Sequence, residues 1–211
     1  MQTTANDSLS RLVPYILAMV IIVVASNILV QTQFQYFGLQ EVLTWGALTY
    51  PFAFLVNDLT NRRLGNKSAR RVVMVGFAIA VILSIYFATP RIAIASGSAF
   101  LVAQLIDIGV FDRLRTKSWW VPPLISTFIG SAVDTILFFG LAFAPMFVGL
   151  DQVFGYEDGS LGFPASAFGI AMPLWASLAL GDFVVKICIG IVALIPYGGV
   201  LKLSDNRAAS V

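Results

Sequence analysis

The chain has 211 residues, 58% of them hydrophobic and 11% charged, with a formal net charge of +2 and a mean hydropathy of +0.87. Soluble domains carry roughly 25% charged residues, so this composition excludes a soluble enzyme and defines an integral membrane protein whose small charge argues against a nucleic-acid partner. With no histidine and a single cysteine, Cys188, the sequence offers neither an intramolecular disulfide nor a zinc donor set, and no cofactor or metal is expected.

A helix needs about 20 apolar residues to cross a hydrocarbon core of about 30 Å, and six segments come near that length. The first, at about 12–31, follows a polar tail of about 1–11 and exceeds the ~7–15 residues of a signal-peptide core, so it reads as a retained helix. The second, at about 42–60, carries Asp58 a turn before Arg62, where an interfacial salt bridge and a ligand contact are equally good readings. The third and fourth, at about 72–89 and 92–111, are joined by a short turn at Pro90 and Arg91. The fifth and sixth, at about 121–148 and 173–201, are long enough to tilt or project, and Trp119 and Trp120 before the fifth are interface anchors. A short tail of about 202–211 closes a single all-α, six-helix domain over 1–211.

Cations cluster in alternate connections: Arg62, Arg63, Lys67, Arg70 and Arg71, then Arg113, Arg115 and Lys117, then Lys202 and Arg207. The positive-inside rule makes those connections cytoplasmic, with both termini, and puts the acidic segments around Glu41 and around Asp151, Glu157 and Asp158 outside. No internal repeat is evident.

An ionised side chain at the centre of a spanning helix costs roughly 2.5 to 3.5 kcal/mol on insertion scales, so such residues face protein or water and often mark a pathway. Asp107, Asp134, Asp182 and Lys186 meet that description. Gln104 and Asp107 share one face of the fourth helix, Ser131 and Asp134 one face of the fifth, and Trp175, Asp182 and Lys186 one face of the sixth. Asn27 lies near the outer end of the first helix. A structural alternative is that Asp182 and Lys186, four apart, only neutralise each other, and that Asp107 ties down helix ends. An intramembrane aspartyl protease is not expected, because ALGD lacks the first glycine of G-x-G-D, and no channel filter sequence is found.

The runs TWGALTYPFAFLVNDLTNRRLG, RIAIASGSAFLVAQLIDIGVFDRLR, WWVPPLISTFIGSAVDTILFF and GDFVVKICIGIVALIP resemble the queuosine precursor transporters, once grouped as a vitamin-uptake-like family. The likeness covers nearly the whole chain, with D-L-T, Q-x-x-D, W-W, D-T and D-x-x-x-K in order. It implies six transmembrane helices, a fold similar to the substrate-binding subunits of energy-coupling-factor transporters, and import of 7-cyano-7-deazaguanine or 7-aminomethyl-7-deazaguanine through the bacterial inner membrane for tRNA modification. The first helix, LAMVIIVVASNILV, does not show the A-x-x-x-A pattern by which that group docks an ATPase module.

The residue inventory suits such a substrate. A deazaguanine presents an amidine edge that matches a carboxylate, a carbonyl acceptor and a flat face. Asp107, Asp134 or Asp182 could grip the donors, Lys186, Gln104 or Asn27 the carbonyl or nitrile, and Trp45, Phe138 or Trp175 could stack on the ring. Asp134 is the expected bidentate contact. Asp107 is the expected group that changes protonation, with proton or ion coupling and homo-oligomers left open. The alternatives are a subunit dependent on an ATP-driven module and a carrier of another nucleobase or vitamin.

Overall fold

The computed structural model describes residues 3–29, 32, 34–36, 45–167 and 170–209. Glu41 and the first residues of the second expected segment lie outside the described residues. The chain is an all-α polytopic membrane protein: α1 (Thr3–Leu29), α2 (Trp45–Thr49), α3 (Phe52–Leu64), α4 (Asn66–Phe87), α5 (Pro90–Leu114), α6 (Val121–Phe143), a 3-10 turn at Pro145–Phe147, α7 (Val148–Val153) and α8 (Leu174–Ala209). Among the described residues, five stretches are long and apolar enough to cross a membrane: Ser10–Leu29 in α1, all of α4, α5 and α6, and Leu174–Leu203 in α8.

The second expected segment is divided. Pro51 lacks the amide proton that a helix bond needs and occupies the N-cap of α3, which separates α2 from α3 at Tyr50. The 13 residues of α3 rise only about 20 Å. Yet α3 is the most enclosed helix, burying Ala53, Phe54, Val56, Asn57, Asp58, Thr60 and Asn61 against α1, α4, α5, α6 and α8. Together α2 and α3 run antiparallel beside α1: Ser26 Oγ meets Thr49 Oγ1 at 3.0 Å near one end, and Arg63 reaches the Tyr15 hydroxyl at the other. A single residue, Gly65, joins α3 to α4 at φ 81°. No atom would crowd a Cβ there, so glycine answers the left-handed backbone alone. Lys67, Arg70 and Arg71 therefore lie in the first turns of α4 and not in a loop.

The fifth helix stops at Phe143, earlier than expected, because Ala144 precedes Pro145 and is held extended at ψ 133°. Between α7 and α8 the chain forms an unanticipated antiparallel hairpin, β1 (Pro164–Ala167) with β2 (Ile170–Pro173), in which Pro164 faces Pro173.

Polarity is inverted relative to a soluble fold. Ile85, Ile136 and Ile195 are 69%, 70% and 75% exposed, whereas Arg91, Gln104, Asp107 and Lys186 are buried. Apolar side chains gain nothing from leaving lipid, so the interior is held by packing and by polar contacts between helices.

Candidate functional site

Two polar layers lie on the faces where α3, α5, α6 and α8 meet. They are separated by the rise from Thr127 to Asp134 on α6, about 10 Å.

The first layer is built where the α2–α3 break places Tyr50 against α6 and α8. The Tyr50 hydroxyl donates to Asp134 Oδ1 at 2.9 Å. Lys186 Nζ lies 2.6 Å from Asp134 Oδ2 and 2.5 Å from Asp182 Oδ2, and Thr135 Oγ1 donates to Asp182 at 2.7 Å. The ammonium also sits 5.5 Å from the Tyr50 ring centroid, a cation–π distance. The expected Asp182–Lys186 pair is present, and the same lysine serves Asp134. One cation thus answers two of the three carboxylates that the sequence places at membrane depth.

The second layer joins α3, α5 and α6. Asn57 Nδ2 donates to Asp107 Oδ2 at 2.8 Å and to the Gln104 carbonyl at 3.2 Å. Ser126 and Thr127 donate to the two oxygens of Asp58 at 3.2 and 3.4 Å. Asp58 and Asp107 are neighbours across the α3–α5 contact. Close approach depends on Gly130: a Cβ there would lie 2.7 Å from the Phe54 ring and 3.4 Å from Asp107 Cβ.

This placement corrects the reading of Asp58. It is 1% exposed, and the interfacial bridge to Arg62 does not form. Arg62 instead donates to the Tyr197 hydroxyl, the Arg115 carbonyl and the Trp119 carbonyl at 3.2, 3.0 and 3.2 Å. Asn57 is a candidate site residue that sequence reasoning misses, although it stands beside Asp58 at the head of the D-L-T motif.

Several buried polar atoms of the second layer have no hydrogen-bond partner among the described residues: both amide atoms of Gln104, Asp107 Oδ1, Asn57 Oδ1 and, next to Gly130, Ser131 Oγ. The first layer, among the same residues, holds no such atom. Unsatisfied buried groups are costly, so these atoms need a partner, a bound water or a ligand, beyond the side chains around them.

The remaining candidates have other surroundings, although Asn27 shares a cavity with Tyr50 of the first layer. Asn27 donates to the Val23 carbonyl at 2.8 Å and lines a cavity of about 50 Å³ with Tyr50, Ser84, Ser96 and Phe100. Trp45 packs edge-on against Phe34 at 4.9 Å, and Phe138 packs against Phe139 and Phe143. Trp175, the second residue of α8, places its backbone N–H on the Leu161 carbonyl. A cavity of about 50 Å³ admits a water or two and no bicyclic base; the bundle is closed around its polar centre.

Arg91 supplies a third polar centre at the opposite end from the basic clusters. It is 1% exposed and donates to Asp151 at 2.5 Å, to Ser160, and to the carbonyls of Leu141 and Ala144. Sequence reading places Arg91 and Asp151 only as outer-loop residues; no local signal marks their pairing across 60 positions.

A helical bundle with lipid-facing apolar surfaces and an ion-paired, partly unsatisfied polar centre has the construction of a membrane carrier. The chain belongs to the family described as "Putative vitamin uptake transporter", whose model matches residues 44–89 and 83–200. It is 34% identical to a "Probable queuosine precursor transporter" of Haemophilus influenzae, over 87% of this chain and 83% of that protein. It is 30% identical to the "Queuosine precursor transporter" of Escherichia coli, over 90% and 86%, and 22% identical to a "Probable queuosine precursor transporter" of Bacillus subtilis, over 88% and 83%. No solved structure matches the chain.

Proposed function

We propose that this protein imports queuosine precursors, 7-cyano-7-deazaguanine or 7-aminomethyl-7-deazaguanine, across the bacterial inner membrane, and that Gln104 and Asp107 read the base. The observation that carries the reading is the set of three unpartnered atoms on one face of α5: Gln104 Nε2, Gln104 Oε1 and Asp107 Oδ1. They offer one donor and two acceptors. The pairing edge of a 7-deazaguanine offers the complement, a carbonyl acceptor, a ring N–H and an exocyclic amino group. Residues three apart on a helix are neighbours, so one planar edge can meet both side chains.

This moves base recognition from Asp134, the expected contact, to Asp107. Both Asp134 oxygens are engaged by Tyr50 and Lys186, and a bidentate grip there would displace two existing bonds. In this reading Asp134, Lys186 and Asp182 brace α6 to α8, and Ser131 serves the substituent at the 7-position. The reading further takes α2 and α3 as a broken sixth crossing beside α1, which returns both termini to the cytosol and keeps Arg62, Arg63, Arg115 and Lys202 on that side.

Uptake of labelled 7-cyano-7-deazaguanine by liposomes containing only this protein tests the proposal. Uptake without any ATP-hydrolysing partner is expected; absence of both uptake and binding would overturn it.

A further inference from the structure

Asp58 and Asp107 form a fully buried carboxyl pair, and its surroundings are short of positive charge. On α3, Arg62 lies one turn beyond Asp58 but turns to Tyr197, Arg115 and Trp119. At the end of α5, Arg115 is committed to Asn61 and Asp112. On α8, Lys186 is committed to Asp134 and Asp182, and Tyr197 shares a cleft with Asp58. From α6 come only the neutral Ser126 and Thr127, and the α1 and α4 side of α3 is apolar, with Met19, Val23, Val72 and Val73. Among the described residues no lysine or arginine bonds to either carboxyl.

Two neighbouring carboxyl groups in a low-dielectric site without a cation are stable with one proton between them and repel when both are ionised. The pair is not sealed on itself. Asn57 holds Asp107 with its amide nitrogen while its own Oδ1 is unpartnered, as are Asp107 Oδ1 and the Gln104 amide. On its other side Asp58 opens on a narrow cleft between α3, α6 and α8, lined by Pro51, Leu55, Pro123, Thr127 and Tyr197. Tyr197, which also lines that cleft, accepts a hydrogen bond from Arg62 through its hydroxyl, and so connects the surroundings of Asp58 with the basic cluster.

We infer that Asp58 and Asp107 are a proton-binding site, and that the proton they share enters the cell with the substrate. The inference rests on the importer reading. With the proton on Asp58, that carboxyl donates to Asp107, which stays an anionic acceptor for the exocyclic amino group of the base. Loss of the proton through the Tyr197 cleft leaves two adjacent anions, and their repulsion turns Asp107 away from Gln104. Proton and substrate therefore bind cooperatively, each raising the affinity of the other. The step breaks no covalent bond other than O–H: a proton from the outer solution binds the Asp58 carboxylate and is given up to the inner solution.

The test uses proteoliposomes loaded with a pH-sensitive dye. Adding 7-cyano-7-deazaguanine to the wild type should acidify the interior. Asp58→Asn, which cannot carry the proton, should show neither acidification nor accumulation under an imposed proton gradient. Asp58→Glu should keep both. Without substrate, an infrared protonated-carboxyl band should be present in the wild type at neutral pH and absent in Asp58→Asn. Substrate uptake by the wild type without acidification overturns the inference, as does gradient-driven accumulation by Asp58→Asn or a carboxyl band that persists in it. Absence of substrate exchange by the wild type would instead defeat the importer reading, and the infrared band would still report on the proton.

Discussion

Lys186 Nζ lies 2.6 Å from Asp134 Oδ2, 52 positions away in the chain, while holding Asp182 one turn below it on its own helix. Removing the lysine leaves two buried carboxylates without their cation. Breaking a buried pair from one side typically costs about 3 to 5 kcal/mol, whereas replacing the whole set by neutral residues costs far less. Lys186→Met should lower the thermal unfolding temperature in detergent strongly, and Lys186→Met combined with Asp134→Asn and Asp182→Asn should recover most of the loss. Additive losses across the three would show that the groups do not act as a unit.

Gly130 should resist any side chain. A Cβ at that position would lie 2.7 Å from the Phe54 ring, and both are enclosed, so Gly130→Ala must push α3 from α6 and separate Asp58 from Ser126. A cost of about 1 to 3 kcal/mol is typical of such overpacking. Around Gly109 on α5, by contrast, no atom lies within 4 Å of the point a Cβ would take, and Gly109→Ala should be neutral or slightly stabilising. Unfolding midpoints for the two variants check the contrast; equal effects would contradict it.

At the other end, Arg91 ties α5 to α7 and to the last carbonyls of α6 through Asp151, Leu141 and Ala144. A lysine keeps the charge but not the planar fork that serves several acceptors. Arg91→Lys should therefore destabilise nearly as much as Arg91→Met, read by limited proteolysis of the segment between α6 and α8. A lysine variant as protected as the wild type would mean that charge alone suffices.

Orientation can be read from single cysteines in a Cys188→Ser background. Lys67→Cys should be protected from an impermeant thiol reagent added to intact cells, and Glu157→Cys should be labelled. Labelling of Lys67→Cys from outside would reverse the topology, and protection of both would place Glu157 on the wrong side.

The helices are legible in the sequence because a membrane imposes one length and one polarity, and five long apolar stretches follow directly from it. The Asp182–Lys186 bond is legible too, since its spacing is local. The break at Pro51 is hidden because the hydropathy of the second segment is continuous across it. Asp58 reads as interfacial because its sequence neighbour Arg62 offers a partner; only the packing of α3 inside the bundle shows that arginine turned away. Arg91–Asp151 and Asp134–Lys186 join positions 60 and 52 apart, and residue types alone do not choose among such partners. The same limit hides the main distinction within the site. Asp134 and Asp107 look alike in sequence, but one has both oxygens engaged and the other has no partner for Oδ1 among the described residues.

The most direct test of Gln104 and Asp107 as the reader of the base compares two ligands and two proteins. Equilibrium binding of 7-cyano-7-deazaguanine and of its analogue without the exocyclic amino group is measured for the wild type and for Asp107→Ala. The wild type should prefer the amino compound by about tenfold or more, equivalent to ~1.4 kcal/mol, because the analogue leaves Asp107 Oδ1 unsatisfied. Asp107→Ala should bind both compounds with nearly equal affinity. An undiminished preference in Asp107→Ala, or none in the wild type, would contradict the account.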